Sequence, residues 1–225
     1  MVTVVDMRDL YNDHLEAIIA NLVTMTQTVR DAVEQATTAL LEADADAAET
    51  VIAGDKAIDE ARERVEESSF ELLATQQPVA GDLRMLIAAM RIVADLERMG
   101  DLAVHVAKIA RMRTPEKAVP PALRPTIANM AETAERMVGE VARIIDNRDV
   151  DAALALEAED EEMDRLRRSM FRILLDDDWE YGVEPAIDLA LLGRYYERIA
   201  DHAVSMARRV VYLVTGQHPP FFEES

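Results

Sequence analysis

The feature that most constrains this chain is that it says the same thing twice. Residues 95–107 read DLERMGDLAVHVA and residues 195–207 read YYERIADHAVSMA, with start points one hundred residues apart. Across 94–107 and 194–207 the Glu, Arg, Asp, Ala, Val and Ala at 97, 98, 101, 103, 104 and 107 recur at 197, 198, 201, 203, 204 and 207, more than chance supplies even in alanine-rich sequence. A weaker match lays Asp55-Lys-Ala-Ile-Asp59 over Asp160-Glu-Glu-Met-Asp164 at a spacing of 105. Self-similarity at a fixed long period marks a supersecondary unit built more than once. The fold must therefore be one that half of this chain can form and that can then pack against a second copy of itself.

Inside each unit the period is helical. Apolar residues at spacings of three and four run from near Leu10 through Leu15, Ile18, Ile19, Leu22, Val29, Val33 and Leu40, which predicts one long helix. The acidic stretch EADADAAETVIAGDKAID is expected to break or turn the chain. Ile58, Val65, Phe70, Leu72 and Leu73 mark a second helix, ended at Gln76-Gln77-Pro78 because proline lacks the amide hydrogen that a helix needs. A third, from about Val79 to Arg111, carries a seam of Met85, Ala89, Ile92, Leu96, Met99, Ala103 and Val106 that must be buried. RTPEKAVPPALRP, with four prolines, reads as a linker. Beyond it the pattern returns as helices at about 122–146, 150–176 and 184–214, separated by DNRDVD and DDDWEYGVEP. The expected fold is all-α, a tandem repeat of two three-helix bundles with six long helices: 1–112, a Pro-rich linker at 113–121, and 122–225. Only 4% aromatic residues and seven glycines, beside 50% hydrophobic residues, suit that architecture.

Charge and residue usage narrow the function. A net charge of −20 argues against direct nucleic-acid binding, which calls for a basic surface, and favours cations or basic protein surfaces as partners. With no cysteine there is no disulfide framework, zinc-thiolate site or thiol nucleophile, which suits a cytoplasmic protein. The opening MVTVVDMRDLYNDHLEAI has acids where a signal peptide needs a basic start and an apolar run, and no stretch is apolar for long enough to span a membrane.

The repeated carboxylates carry the candidate chemistry. Asp55 with Asp59, Glu97 with Asp101, Asp160 with Asp164 and Glu197 with Asp201 are each four apart, so on a helix each pair shares a face and repels. A hard divalent or trivalent cation turns that repulsion into coordination through carboxylate oxygens. Bringing the second helix of each half beside the third would assemble a DxxxD and ExxxD cluster once per repeat. The alternative is that these acids are part of a solvated face in a chain that has 44 of them.

Other chemistry finds less support. None of His14, His105, His202 or His218 has Glu three residues before it, which disfavours a ferritin-like di-iron site. His105 and His202 lie near Asp101 and Asp201 as supplementary ligands or, on the simpler view, surface histidines. The glycines are scattered and form no phosphate loop, and the serines lack a nucleophile context. Arg84, Arg91 and Arg98 repeat every seven residues on one helix face, either as a solvated stripe or as a docking surface for an acidic partner.

QQPVAGDLRMLIAAMRIVADLERMGDLAVHVAKIA resembles the signature helix of the PhoU family, bacterial accessory and regulatory proteins of phosphate-specific transport, in which a QPVAxDLR start leads to LERIGD. YYERIADHAVSMARRVVYLVTGQ is similar to that family's last helix, and the likeness covers essentially the whole chain. The resemblance implies metal clusters on Asp55, Asp59, Glu97, Asp101, Asp160, Asp164, Glu197 and Asp201, filled by iron, manganese, magnesium or zinc. It also implies a non-enzymatic negative regulator of the phosphate-starvation response. Such a protein is a cytoplasmic homodimer, or peripheral at the inner membrane face through its partners, and links the ATPase subunit of the phosphate ABC transporter to a sensor histidine kinase. A carboxylate-cluster metalloenzyme and a metal-free helical adaptor stay open as alternatives. One departure stands out: the second repeat has Ala200 where the family usually has Gly, which puts the occupancy of the second cluster in question.

Overall fold

A computed structural model describes residues 4–217. It holds six long helices: α1 (Val4–Glu42), α2 (Ala45–Gln76), α3 (Ala80–Arg113), α4 (Arg124–Asn147), α5 (Val150–Leu174) and α6 (Val183–Thr215), with one 3-10 turn at Pro121–Leu123. There is no strand among the described residues. The predicted helices fall where the apolar period puts them, to within a few residues at most ends. His218, one of the four histidines with no Glu three residues before it, lies outside the described residues.

The acidic stretch after Leu40 does not interrupt the chain as expected. The break is only Ala43 and Asp44, and α2 has already begun at Ala45. Ala43 turns the chain in the left-handed region (φ 58), and the Asp44 carboxylate accepts from the amides of Asp46 (3.0 Å) and Ala47 (2.9 Å). Alanines and acids are good residues for a first helical turn, because alanine loses least on entering a helix and acids favour its positive end. Asp149 caps α5 in the same way, accepting from the Ala152 amide at 3.0 Å. At the far end of α2, Gln77 is left-handed (φ 48) and Pro78 follows, as the sequence predicts.

The packing follows the duplication. Helix α1 packs on α2 and α3, and α2 on α3, to make one three-helix bundle; α4, α5 and α6 make the other, with α5 on α4 and α6. The halves meet through α1 against α4 and α3 against α6, which leaves α2 and α5 on the two outer flanks. Every member of the expected α3 seam is buried, and the core runs without interruption from one half into the other. The Pro-rich segment is itself pinned down, with Ala118, Val119 and Leu123 buried. Polar contacts lock the seam between the halves. Buried Thr37 and Tyr196 share a hydroxyl–hydroxyl bond of 2.8 Å, and Arg113 donates to buried Asp188 at 2.6 Å and also pairs with Glu184.

Candidate metal centres

Each outer helix lies along the third helix of its own half, so Asp55 and Asp59 come from α2 to meet Glu97 and Asp101 on α3. Gly100 permits the approach. A Cβ there would lie 2.9 Å from Ile58 Cδ1 and 3.5 Å from Asp55 Oδ1, so a side chain would have to displace that of Ile58. Asp55 feels the other three carboxylates: burial pushes its carboxyl up first, Asp101, Asp59 and Glu97 push the same way, and Lys108 opposes them.

The second repeat builds the same arrangement from α5 and α6. Asp160 is pushed up to about 6, by burial first and then by Asp201, Asp164 and Glu197, with Arg208 pulling down. The cation that opposes the acids is thus in the same place in both repeats, since Lys108 and Arg208 are one hundred residues apart. Asp201 is also raised, by burial and then Glu197, against Arg194, His202 and Arg198. Ala200, at the place of Gly100, is fully buried, and the residue at the place of Ile58 is Met163. An unbranched, flexible side chain yields to a methyl group where a β-branched one does not.

The two clusters differ in their counter-charges. Glu197 is buried, and its two oxygens are taken by different guanidiniums: Arg167 holds Oε1 and Arg194 holds Oε2 at 2.6 Å. In the first repeat Arg98 is 65% exposed and comes only to 3.6 Å from Glu97 and 3.8 Å from Asp101, without a hydrogen bond to either. The position of Arg194 is filled there by Ala94, and Arg62, at the place of Arg167, reaches Glu66 at 3.8 Å instead.

Among the described residues, no three His, Asp or Glu side chains converge as they would on a metal ion. The donor chemistry of the first cluster nonetheless fits a hard cation. Its four carboxylates repel one another and have only loosely held counter-ions, so a cation drawing them inward would relieve the repulsion. In the second cluster a cation would have to compete with Arg167 and Arg194. Sequence reasoning missed both arginines. Arg194, three residues before Glu197, was visible in the spacing; Arg167 comes from the neighbouring helix and was not.

The histidines take other roles. His202, expected at the surface or beside a metal, is part-buried and reaches across to Asp95 on α3 at 3.0 Å, so it joins the two halves. His105 donates from Nδ1 to the Asp101 carbonyl at 2.6 Å, and its ring lies 5.3 Å from that of Tyr195. The arginine stripe of α3 divides: Arg98 goes to the acidic cluster, while Arg84 and Arg91 line a cavity against α6.

The fold and these clusters define a class of protein, a duplicated three-helix bundle that carries a matched carboxylate cluster on the outer flank of each half. The family model for the PhoU domain matches twice, at residues 22–110 and 127–210. The phosphate-specific transport system accessory protein PhoU homolog 2 of Mycobacterium tuberculosis is 44% identical over 213 residues, spanning 95% of this chain and all of that protein. A PhoU homolog from Rhizobium meliloti is 30% identical over 93% of this chain and 89% of its own length. The crystal structure of PhoU from Pseudomonas aeruginosa superposes with a TM-score of 0.84 at 30% identity, covering 92% of this chain and all of that one. The chain belongs to the PhoU family.

Proposed function

We propose that this protein is a metal-binding, non-enzymatic negative regulator of the phosphate-starvation response. It works in the cytoplasm or peripherally at the inner membrane face, as a homodimer, and it couples the ATPase subunit of a phosphate ABC transporter to a sensor histidine kinase. The observation that carries this reading is a relative 44% identical over nearly the whole of both chains whose name makes it a phosphate-transport accessory protein. Among the described residues no helix is long and apolar enough to cross a membrane. The long exposed faces of α2 and α5 are surfaces on which a helical segment of a kinase can dock. Coupling needs only that the partner's two states bind such a face with different affinity.

Iron, manganese, magnesium or zinc is held first by Asp55, Asp59, Glu97 and Asp101, and more weakly by Asp160, Asp164, Glu197 and Asp201. Bound metal changes the charge that a partner meets on the flank. The deciding experiment is genetic. A deletion strain leaves phosphate-starvation genes on in phosphate-rich medium, and further deletion of the cognate sensor kinase turns them off. Normal repression in the single deletion, with no paralogue present, would refute the regulatory reading.

A further inference from the structure

Where α3 crosses α6, the two halves border an open cavity of about 380 Å³ lined by Arg84, Ile87, Ala88, Arg91, Ser205, Arg208, Arg209 and Tyr212. Four guanidiniums around one space are unexpected in a protein of net charge −20. Two of them are compensated: Arg208 pairs with Glu157, and Arg209 lies 2.9 Å from Asp95 Oδ2 while donating to the Ser205 hydroxyl at 2.6 Å. Arg84 and Arg91 make no ion pair among the described residues. Arg84, Arg208 and Arg209 each keep a buried Nε–H without a hydrogen-bond partner. Buried donors left unpaired in this way are uncommon and unfavourable, and an anionic oxygen would satisfy them.

The size and the walls define the ligand further. The volume is in the range of a small-molecule site, far more than a bare oxyanion fills. Ile87, Ala88 and the Tyr212 ring add apolar surface to the lining, alongside the guanidiniums of their own helices. The two uncompensated arginines match the charge of a phosphomonoester, which is close to a dianion at neutral pH. Arginine suits that role because its planar fork donates two parallel hydrogen bonds to phosphate oxygens. We propose that this cavity binds a small organic phosphomonoester, with the phosphate on Arg84 and Arg91 and the organic part against Ile87, Ala88 and Tyr212. The site is assembled by both repeats and shares Arg208, through its field on Asp160, with the second carboxylate cluster. Its occupancy therefore bears on how firmly α3 and α6 hold together.

Calorimetric titration of the full chain tests this, at fixed ionic strength and with a chelator present, using adenosine 5′-monophosphate, adenosine and inorganic phosphate as probes. The monophosphate binds; adenosine shows no binding; inorganic phosphate binds at least about tenfold more weakly, having no group for the apolar wall. Exchanging Arg84 and Arg91 together for Gln weakens the monophosphate by about a hundredfold, since each removes a charge-assisted contact. Arg143→Gln, on the exposed face of α4, leaves affinity unchanged, and a native melting transition in the double variant shows that it has folded. Absence of monophosphate binding, equal binding of inorganic phosphate, or undiminished binding in the folded double variant would each overturn the proposal.

Discussion

The two acidic clusters start from the same motif and end in different electrostatic states. On α2 and α3 the carboxylates face one another across the gap left by Gly100, and their nearest guanidinium stays beyond 3.5 Å. On α5 and α6 the pivotal carboxylate, Glu197, is buried and taken up by Arg167 and Arg194. The lesson is that a duplicated set of carboxylates need not be a duplicated site. One exchange on the same helix, Ala94 in one repeat for Arg194 in the other, supplies a built-in cation that the first repeat lacks at that place.

The largest expected effect separates the clusters by metal. Manganese at about a hundredfold above its Kd stabilises the native protein by roughly 2.7 kcal/mol, a rise in melting temperature of about 5–10 °C for a chain of this size. Replacing Glu97 and Asp101 by Gln and Asn removes most of that shift, whereas the same changes at Glu197 and Asp201 remove little. Equal losses from the two sets, read by thermal denaturation, would break the comparison.

Next in size is the clamp. In metal-free protein, changing Arg167 and Arg194 together to Ala leaves Glu197 buried without a partner and destabilises the fold by about 2 kcal/mol, after allowing for the solvent exposure of both arginines. Manganese should then recover the loss and raise the metal stoichiometry, measured by equilibrium dialysis. A variant as unstable with manganese as without it would show that the arginines do not stand in for a cation.

Gly100→Ala tests the backbone part of the difference. The new methyl group meets Ile58 and costs about 1–2 kcal/mol through overpacking. Adding Ile58→Met, which copies Met163 of the second repeat, should restore most of that stability in denaturant titrations. Failure of the second change to help would mean that Ala200 is accommodated by something other than its methionine.

The smallest effect lies on the seam between the halves and supplies the reference for pH work on the clusters. Glu135 is pushed up to about 7, mainly by burial and then by Glu34 and Glu132, against Arg30. Its folded value lies above its unfolded value, so the fold favours the neutral carboxyl, and stability falls as pH rises from about 4.5 to 7. Glu135→Gln should stabilise the protein by about 1 kcal/mol at pH 8 and hardly at all near pH 4.5, with the partial exposure of the site already allowed for. A pH-independent effect would count against a titrating Glu135.

Much of this protein can be read from sequence because its periodicities are local. Spacings of three and four gave the α3 seam, and spacings of four gave the carboxylate pairs, since both depend only on the geometry of a single helix. The duplication then placed two such helices in each half. The chain break at Ala43-Asp44 was misjudged in extent because acids and alanines read equally well as a turn and as a helix start, and only the capping bond of Asp44 decides between them.

What the sequence determined by itself is therefore the two repeats, their six helices and the eight carboxylates presented on matched faces. The tertiary structure alone decided which charges meet across helices. Arg167 reaching Glu197 from α5, His202 and Arg209 converging on Asp95 from the other half, and four arginines gathered around one cavity all depend on the rotation and offset of neighbouring helices. Those quantities are set by how the apolar ridges of one helix fill the grooves of the next, and no local spacing in the chain encodes them.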